Sequence, residues 1–387
     1  MLVSEVPDLI STRKLAVLAI ALVAMVPACS GDPNLPPPPA KPAQINLAGV
    51  YTKKSDDQGR QIGLPSNDVY AFLLLGSGQF WVGTAAGIAM YKDTKTYTHS
   101  PDAIVNEVNG LPHPQVRSMI EYNGKVYVGT WGGGLGVYDI AGNSWTQIRP
   151  GSTGLTDGFV AEISASITED RLYLATNDGV FIYNPTAATF SHFSTVDTDL
   201  DPDDLDTPRL QALVSSVEVT AEAGVVQRWY GPRVETKLSA AQVPLHGITV
   251  SKSASTVYKY TETNSGLVEP NVNDIYFDPV RNTYWVSYVG KGISEVSLVN
   301  KTWKSYTLVQ GLPSNTVNSV TRAGHGSTAN TIWAGTQNGL AKLGTNNWQS
   351  YGISGGLPAQ RVRRVYSDNG SRLWVGFADG GAVRIAF

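Results

Sequence analysis

Short alternating runs of hydrophobic and polar residues, separated by glycine- and proline-rich turns, repeat from about residue 45 to the end of the chain. Alternation with a period of two predicts half-buried β-strands. Six of the turns share one pattern, in which a valine lies six residues after the glycine of a Gly-Leu step. These pairs are Gly63 and Val69, Gly110 and Val116, Gly154 and Val160, Gly266 and Val272, Gly311 and Val317, and Gly356 and Val362. The pattern predicts a repeat protein built from β-strands.

A second signature, in which an aromatic or aliphatic pair precedes a small residue, brings the number of units to seven. The small residue stands at positions 83, 129, 175, 231, 287, 335 and 376, so the units are 46, 46, 56, 56, 48 and 41 residues apart. Four short strands in such a length are typical of one blade of a β-propeller. The last unit has three strands, and residues 47–52 form an additional strand before the first turn. We therefore predict an all-β, seven-bladed propeller with four-stranded blades, closed by an N-terminal strand that completes the last blade.

The N-terminus carries the features of a secretory signal. Arg13 and Lys14 precede an apolar run over residues 15–26, which is too short to span a bilayer as a helix. The sequence Val26-Pro27-Ala28-Cys29 resembles a bacterial lipobox, whose cysteine is lipidated and becomes the first mature residue. We expect a lipoprotein signal peptide over 1–28, a proline-rich tether over 29–44 and the propeller over 45–387. The resemblance implies secretion through the inner membrane and a lipid anchor at Cys29 as the membrane attachment. With Ser30 after the cysteine, it also implies the outer membrane.

Composition narrows the classes of function. Hydrophobic residues make up 42% of the chain and charged residues 16%, which is unlike a disordered chain and sufficient for a large core. The net charge of -3 provides no basic surface for nucleic acid. Because Cys29 is the one cysteine of the sequence, no intramolecular disulfide is expected.

Two segments carry a resemblance to a known family. Gly63-Leu64-Pro65-Ser66-Asn67 and Trp333-Ala334-Gly335-Thr336-Gln337-Asn338-Gly339-Leu340 are similar to the two-component regulator propeller repeat. That family occurs in extracytoplasmic sensor regions of hybrid histidine kinases and as free-standing secreted propellers. The resemblance covers about residues 45 to 387 and implies a seven-bladed propeller. Because no kinase-like segment follows, it implies the free-standing lipoprotein form.

Candidate ligand-binding residues are those that differ between blades on one face. The turns between blades and the turns between the second and third strands share the face around the channel mouth. On it, Trp131, Tyr288 and Phe377 are predicted stacking platforms for sugar rings or aromatic groups, with packing between loops as the alternative. Polar residues near these platforms are Asn177, Gln337 and Asp379. Arg117, Arg361, Arg363 and His113 would suit an anionic group such as a uronate or phosphate, unless the arginines pair with carboxylates.

The fourth unit departs from the repeat in two places. Before it, Asp197, Asp199, Asp201 and Asp203 alternate in a manner that can ligate Ca²⁺, although Pro202 and Pro208 break an EF-hand-type pattern and a solvated acidic loop is the alternative. Within it, an insertion over residues 232–246 could form a lid or a partner contact. Calcium is therefore the one candidate cofactor, and we expect no other.

Three functions remain open. The first is a non-catalytic cell-envelope lipoprotein that binds a glycan or other exogenous small molecule at the channel face. The second is a scaffold for an envelope protein partner. The third, a lyase or hydrolase, rests on analogy of fold, because His113, His246 and Glu269 are the conceivable acid–base groups and no nucleophile elbow, zinc spacing or phosphate loop occurs. We favour the binding protein over the scaffold, and both over an enzyme.

Overall fold

The computed structural model describes residues 44–59, 62–92, 101–151, 154–193, 214–222, 225–232, 247–253, 256–269, 271–324, 331–368 and 372–385. Among the features expected from the sequence, the signal peptide, Cys29, nearly all of the tether, the aspartates at 197–203, His246 and the insertion after Pro232 lie outside these residues. No α-helix is assigned in the described ranges, and none of their helices is long and apolar enough to cross a membrane.

The strands form seven four-stranded antiparallel sheets, which confirms the predicted seven-bladed propeller. Blades 1 and 2 contain β2 (Val69–Leu74), β3 (Phe80–Thr84), β4 (Gly87–Tyr91), β5 (Ala103–Val105), β6 (Val116–Tyr122), β7 (Lys125–Thr130), β8 (Leu135–Asp139) and β9 (Ser144–Ile148). Blades 3 and 4 contain β10 (Val160–Ser166), β11 (Arg171–Thr176), β12 (Gly179–Asn184), β13 (Thr189–Phe193), β14 (Val214–Glu222), β15 (Val225–Pro232), β16 (Ile248–Ser253) and β17 (Thr256–Tyr260). Blades 5 and 6 contain β18 (Val272–Asp278), β19 (Thr283–Tyr288), β20 (Ile293–Ser297), β21 (Thr302–Tyr306), β22 (Val317–Ala323), β23 (Thr331–Thr336), β24 (Gly339–Leu343) and β25 (Trp348–Tyr351).

Blade 7 is built from both ends of the propeller. It contains β26 (Val362–Ser367), β27 (Leu373–Phe377), β28 (Ala382–Ile385) and β1 (Leu47–Tyr51), in the order β1-β28-β27-β26. β1 pairs antiparallel with β28, with Val50 opposite Val383. The predicted closure by an N-terminal strand is therefore confirmed. Because β1 and β28 come from opposite ends of the propeller and pair in one sheet, the ring of blades is closed.

The first strand of each blade lines the central channel, since the first strands of neighbouring blades contact one another all the way round, from β2 to β26 and back to β2. Close approach between blades explains the repeated small residue. A Cβ added at Gly129 would lie 2.7 Å from Cγ1 of Val160, and one added at Gly335 would lie 2.5 Å from Cγ1 of Val362. The repeated glycine and valine therefore hold neighbouring blades together, and their recurrence reflects packing rather than ligand binding.

A β-bulge follows the first valine of the innermost strand in every blade. In blade 7, for example, the register shifts between Val362 and Arg364, so that Arg363 is the additional residue. The same shift occurs in the other six blades. Bulges turn side chains away from the regular alternation. The bulge thus changes the direction of the residue after the first valine in each innermost strand.

The turns between second and third strands share a face with the segments that lead into the first strands. The amide of Trp131 donates to the carbonyl of Gln115 over 3.0 Å, and the amide of Ala378 donates to that of Arg361 over 3.0 Å. This face is the channel mouth on which the candidate residues were placed.

Candidate functional site at the channel mouth

Side chains from blades 7, 1 and 2 and from the segment that leads into blade 3 form a continuous array at the mouth. The guanidinium carbon of Arg363 lies 4.5 Å from the centre of the Tyr70 ring, and that of Arg117 lies 4.4 Å from the same ring. Arg117 also lies 4.7 Å from the Trp131 ring, which meets Phe159 edge-on with ring centres 5.1 Å apart. We call these five residues the mouth cluster. Each guanidinium over an aromatic face is a favourable arrangement.

The position of the bulge explains this array. Tyr70, Arg117 and Arg363 each follow the first valine of their strand and stand at the bulge. Trp131 lies in the glycine-rich turn after β7, and its residue bridges antiparallel to Phe159. Sequence reasoning identified Arg117, Arg363 and Trp131, and the structure brings them together. It missed Tyr70, which the recurring position after the first valine could have revealed.

Electrostatics fix the orientation of the array at its blade 7 end. Arg363 forms an ion pair with Asp68, with Nη2 donating to Oδ2 over 3.0 Å, and the Tyr70 hydroxyl donates to the same oxygen over 2.9 Å. Burial raises the pKa of Tyr70, although Arg363 opposes the rise, so the phenol stays protonated. Asp68 pairs with Arg363, and the guanidinium planes and aromatic faces of the cluster suit an anionic or polar ligand.

His113 lies beside the same turn. Its Nδ1 accepts a hydrogen bond from the amide of Gln115 over 3.2 Å, and its ring lies near the space that a Cβ at Gly132 would occupy. Gly132 has a φ of 117°, a conformation that favours glycine, and a Cβ there would contact Phe159 as well as His113. His113 therefore borders the mouth cluster.

The predicted stacking platforms at Tyr288 and Phe377 are wrong, because both side chains are 0% exposed in the core. They occupy the position at which other blades carry a buried threonine that closes the turn after the second strand. Thr84 and Thr336, for example, donate to the carbonyls of Gly87 and Gly339 over 2.9 and 2.8 Å. The aromatic replacements fill space in the core and present no ring face to a ligand.

The remaining predicted residues lie on the mouth face but in separate blades. Asn177 is half-buried in blade 3, Gln337 is exposed in blade 6, and Asp379 and Arg361 are exposed in blade 7. Arg361 and Arg363 are two residues apart, a spacing that places side chains on the same side of a regular strand. The bulge at Arg363 breaks that alternation, and Arg363 packs on Tyr70 while Arg361 stays exposed.

Below the mouth, a second set of residues was missed by the sequence analysis. These residues stand two positions after the first valine of each innermost strand, and we call them the inner ring. They are Ala71, Ser118, Glu162, Ser216, Asp274, Ser319 and Arg364. In five of them a side-chain oxygen accepts a hydrogen bond from a backbone amide of the next blade. The acceptor–donor pairs are Ser118 with Ile163, Glu162 with Val217, Ser216 with Ile275, Asp274 with Val320 and Ser319 with Val365, at 3.1, 3.1, 3.0, 2.8 and 3.3 Å.

The inner ring concentrates charge. Arg364 reaches across the channel, with Nη2 3.2 Å from Oε1 of Glu162 and Nη1 3.5 Å from Oδ1 of Asp274. Burial raises the pKa of Glu162 to about 7, and Asp274 adds to the rise while Arg364 opposes it. Burial also raises the pKa of Glu218, which lies two residues after Ser216 in β14, well above its usual range. At neutral pH the channel therefore holds carboxyl groups that are partly protonated.

A pocket opens from the channel between residues of blades 7, 1, 2 and 3. It has a volume of about 30 Å³ and is lined by residues that include Ala71, Phe72, Arg117, Met119, Glu162 and Arg364. The pocket lies between the mouth cluster and the inner ring, since Arg117 belongs to the first and Arg364 to the second. Among the described residues, no group of three or more histidine, cysteine, aspartate or glutamate side chains could hold a metal ion.

Comparison with known proteins supports the fold. No protein-family model matches the chain, and no curated protein matches it. Among solved structures, it is similar to the extracellular domain of a hybrid two-component system from B. thetaiotaomicron, with a TM-score of 0.61 and 17% identity over 87% of this chain and 42% of that chain. It also matches the extracellular domain of a one-component system from the same organism, with a TM-score of 0.44 and 17% identity over 86% of this chain and 43% of the other. The chain thus spans less than half the length of either neighbour. At such identity, the first likeness shows a common fold with an extracellular regulatory domain.

Proposed function

We propose that this protein is a non-catalytic, extracytoplasmic propeller that binds an exogenous small molecule, a glycan or an acidic sugar, at the mouth cluster. The observation that carries the proposal is the array of Arg363, Tyr70, Arg117 and Trp131. Aromatic faces and guanidinium planes suit the apolar faces of sugar rings and their anionic groups. At the position of these arginines, other blades carry Ala161 or Asn273, so the array is specific to one side of the ring.

The resemblance to the two-component regulator propeller repeat supports an extracytoplasmic role, and the extracellular neighbours agree with it. We propose the free-standing form of that family, secreted through the inner membrane and held at the outer membrane by a lipid on Cys29. Calcium at Asp197, Asp199, Asp201 and Asp203 remains a proposal of the same kind.

A second candidate is a scaffold that docks an envelope protein. It is favoured by exposed apolar residues on two short 3₁₀ helices of neighbouring blades, Val309 being 88% exposed and Ile353 58%. We rank it below ligand binding because the mouth cluster combines charge and aromatic surface in one place. Catalysis ranks last, because His113 accepts a backbone hydrogen bond and Glu269 accepts one from the amide of Asn271.

The proposal is tested by a thermal-shift screen of the full-length protein against neutral and acidic oligosaccharides, with and without Ca²⁺. A ligand that binds the folded state raises the unfolding midpoint. Trp131→Ala should weaken the affinity of such a ligand about five-fold or more, since one cation–π and one stacking contact are lost. Gln337→Ala, on the same face in blade 6, is the matched control and should leave the affinity unchanged. A midpoint shift that survives Trp131→Ala would contradict a site at the mouth, and a shift with Ca²⁺ alone would instead support the aspartate segment.

A further inference from the structure

Five of the seven inner-ring residues accept a hydrogen bond from the next blade, and the other two lie in the neighbouring blades 7 and 1. In blades 2 to 6, the ring residue accepts a hydrogen bond from the amide three residues after the first valine of the next blade. In blade 7 the ring residue is Arg364, whose side chain only donates, and in blade 1 it is Ala71, which has no polar atom. The side-chain acceptor is therefore missing at the junctions of blade 7 with blade 1 and of blade 1 with blade 2.

The two amides at these junctions belong to Phe72 and Met119. They hold the same register as the donors of the other blades, because Phe72 pairs with Val82 and Met119 with Val128 just as Ile163 pairs with Leu174. Both residues line the pocket of about 30 Å³ between the mouth cluster and the inner ring. The pocket is thus lined by both residues whose amides lack a ring acceptor, together with Arg364 and Arg117.

We propose that this gap in the inner ring is a carboxylate-binding subsite, in which a ligand's carboxylate replaces the two missing side-chain acceptors. One oxygen accepts from the amide of Phe72 and the other from that of Met119, with Arg364 and Arg117 supplying positive charge. The inference deepens the proposed function, since the rest of the ligand would lie on the mouth cluster. A planar group of three heavy atoms suits a pocket that holds about two waters.

The charges around the pocket link this binding to protons. Glu162 also lines the pocket, and it is faced by Arg364, Asp274 and Glu218. A second anion beside Glu162 favours the protonated form of its carboxyl. Binding should therefore take up a proton near pH 7 and weaken as the pH rises above that value.

The decisive variant is Ala71→Ser, which completes the ring. Serine already occupies the equivalent position in blades 2, 4 and 6, where its hydroxyl accepts the amide of the next blade. The new hydroxyl would accept from Met119 and fill the subsite without contact with Trp131. The matched control is Ser319→Ala, which removes an acceptor at the junction of blades 6 and 7, and Ser319 does not line the pocket.

The probe is sodium acetate, compared with sodium chloride at equal ionic strength and with neutral acetamide, in thermal unfolding of the full-length protein. Wild type and Ser319→Ala should gain about 2 °C in midpoint at acetate concentrations well above the dissociation constant. Ala71→Ser should gain none, and the gain in wild type should be larger at pH 6 than at pH 8. Calorimetry in two buffers of different ionisation enthalpy measures the proton uptake without any variant.

The two variants distinguish binding at the carboxylate subsite from binding at the mouth cluster. An acetate effect that is lost in Ala71→Ser and kept in Trp131→Ala supports the subsite. An equal effect in Ala71→Ser, or none in wild type, overturns it. If acetate is silent while an oligosaccharide still requires Trp131, the subsite fails and the proposed function stands. An acetate effect without proton uptake overturns the coupling to Glu162.

Discussion

Arg364 offsets the negative charge of the channel, and its replacement by methionine tests that role. The guanidinium contacts carboxylates of two other blades, Glu162 and Asp274, which lie far away in sequence. Arg364→Met keeps most of the side-chain volume and removes the charge. Both carboxylates then lose a partner, so the pKa of Glu162 should rise further and the free energy of unfolding should fall.

The magnitude follows from the exposure and pKa of these groups. Removal of one partner of a buried ion pair costs about 3–5 kcal/mol. Because 37% of the Arg364 side chain is exposed, solvent screens part of the interaction, and about 2 kcal/mol is expected at pH 8. The pKa of Glu162 is raised from 4.5 to about 7, so its carboxyl is protonated at pH 5 in the folded state. At that pH, less charge is left without a partner, and the loss should stay below about 1 kcal/mol.

The sign of the pH dependence is specific. A carboxyl group with a raised pKa in the folded state causes stability to fall as the pH rises from about 4.5 to about 7, because the unfolded chain ionises first. Arg364→Met should steepen that fall and extend it above pH 7. Urea unfolding at pH 5, 6, 7 and 8 measures it, with Glu162→Gln and the double variant completing a thermodynamic cycle. An equal loss at pH 5 and pH 8 would refute the electrostatic argument and indicate lost packing instead.

Three further predictions concern the fold and the channel. Gly335→Ala should lower the free energy of unfolding in urea by about 1–3 kcal/mol, because its Cβ would lie 2.5 Å from Cγ1 of Val362. Val362→Ala in the same chain should recover part of that loss, and additive losses would contradict the contact. Deletion of β1 should lower the thermal midpoint by on the order of 10 °C, because blade 7 loses its outer strand. The control Val50→Ala, at a site that is 39% exposed, should change the midpoint little. An unchanged midpoint after the deletion would contradict closure of the ring by β1. Glu218→Gln should raise the free energy of unfolding at pH 8 and leave it unchanged at pH 4, because burial raises the pKa of this carboxyl while the unfolded chain ionises normally. A lower free energy of unfolding at pH 8 would show that the group is charged in the folded protein.

Part of the mouth cluster could be identified from the sequence. Trp131, Arg117 and Arg363 were found because they interrupt a repeat, and the structure places them in one cluster. Tyr288 was misplaced because the same argument treats every departure from the repeat as exposed. Whether a departure points into the core or the channel depends on the local strand direction, and one sequence does not specify it.

The sequence by itself determined the fold of this protein. Glycine and valine recur at a fixed spacing because each blade must pack against the next at the same close distance, and that local requirement repeats along the chain. The channel was decided by the tertiary structure. A bulge redirects one residue in each innermost strand, and closure of the ring then brings Arg364 against Glu162, 202 residues away. The sequence does not show that Ala71 leaves the amide of Met119 without a ring acceptor, because these residues belong to different blades. Hydrogen bonds between blades depend on the register of strands across the ring rather than on neighbours in the chain.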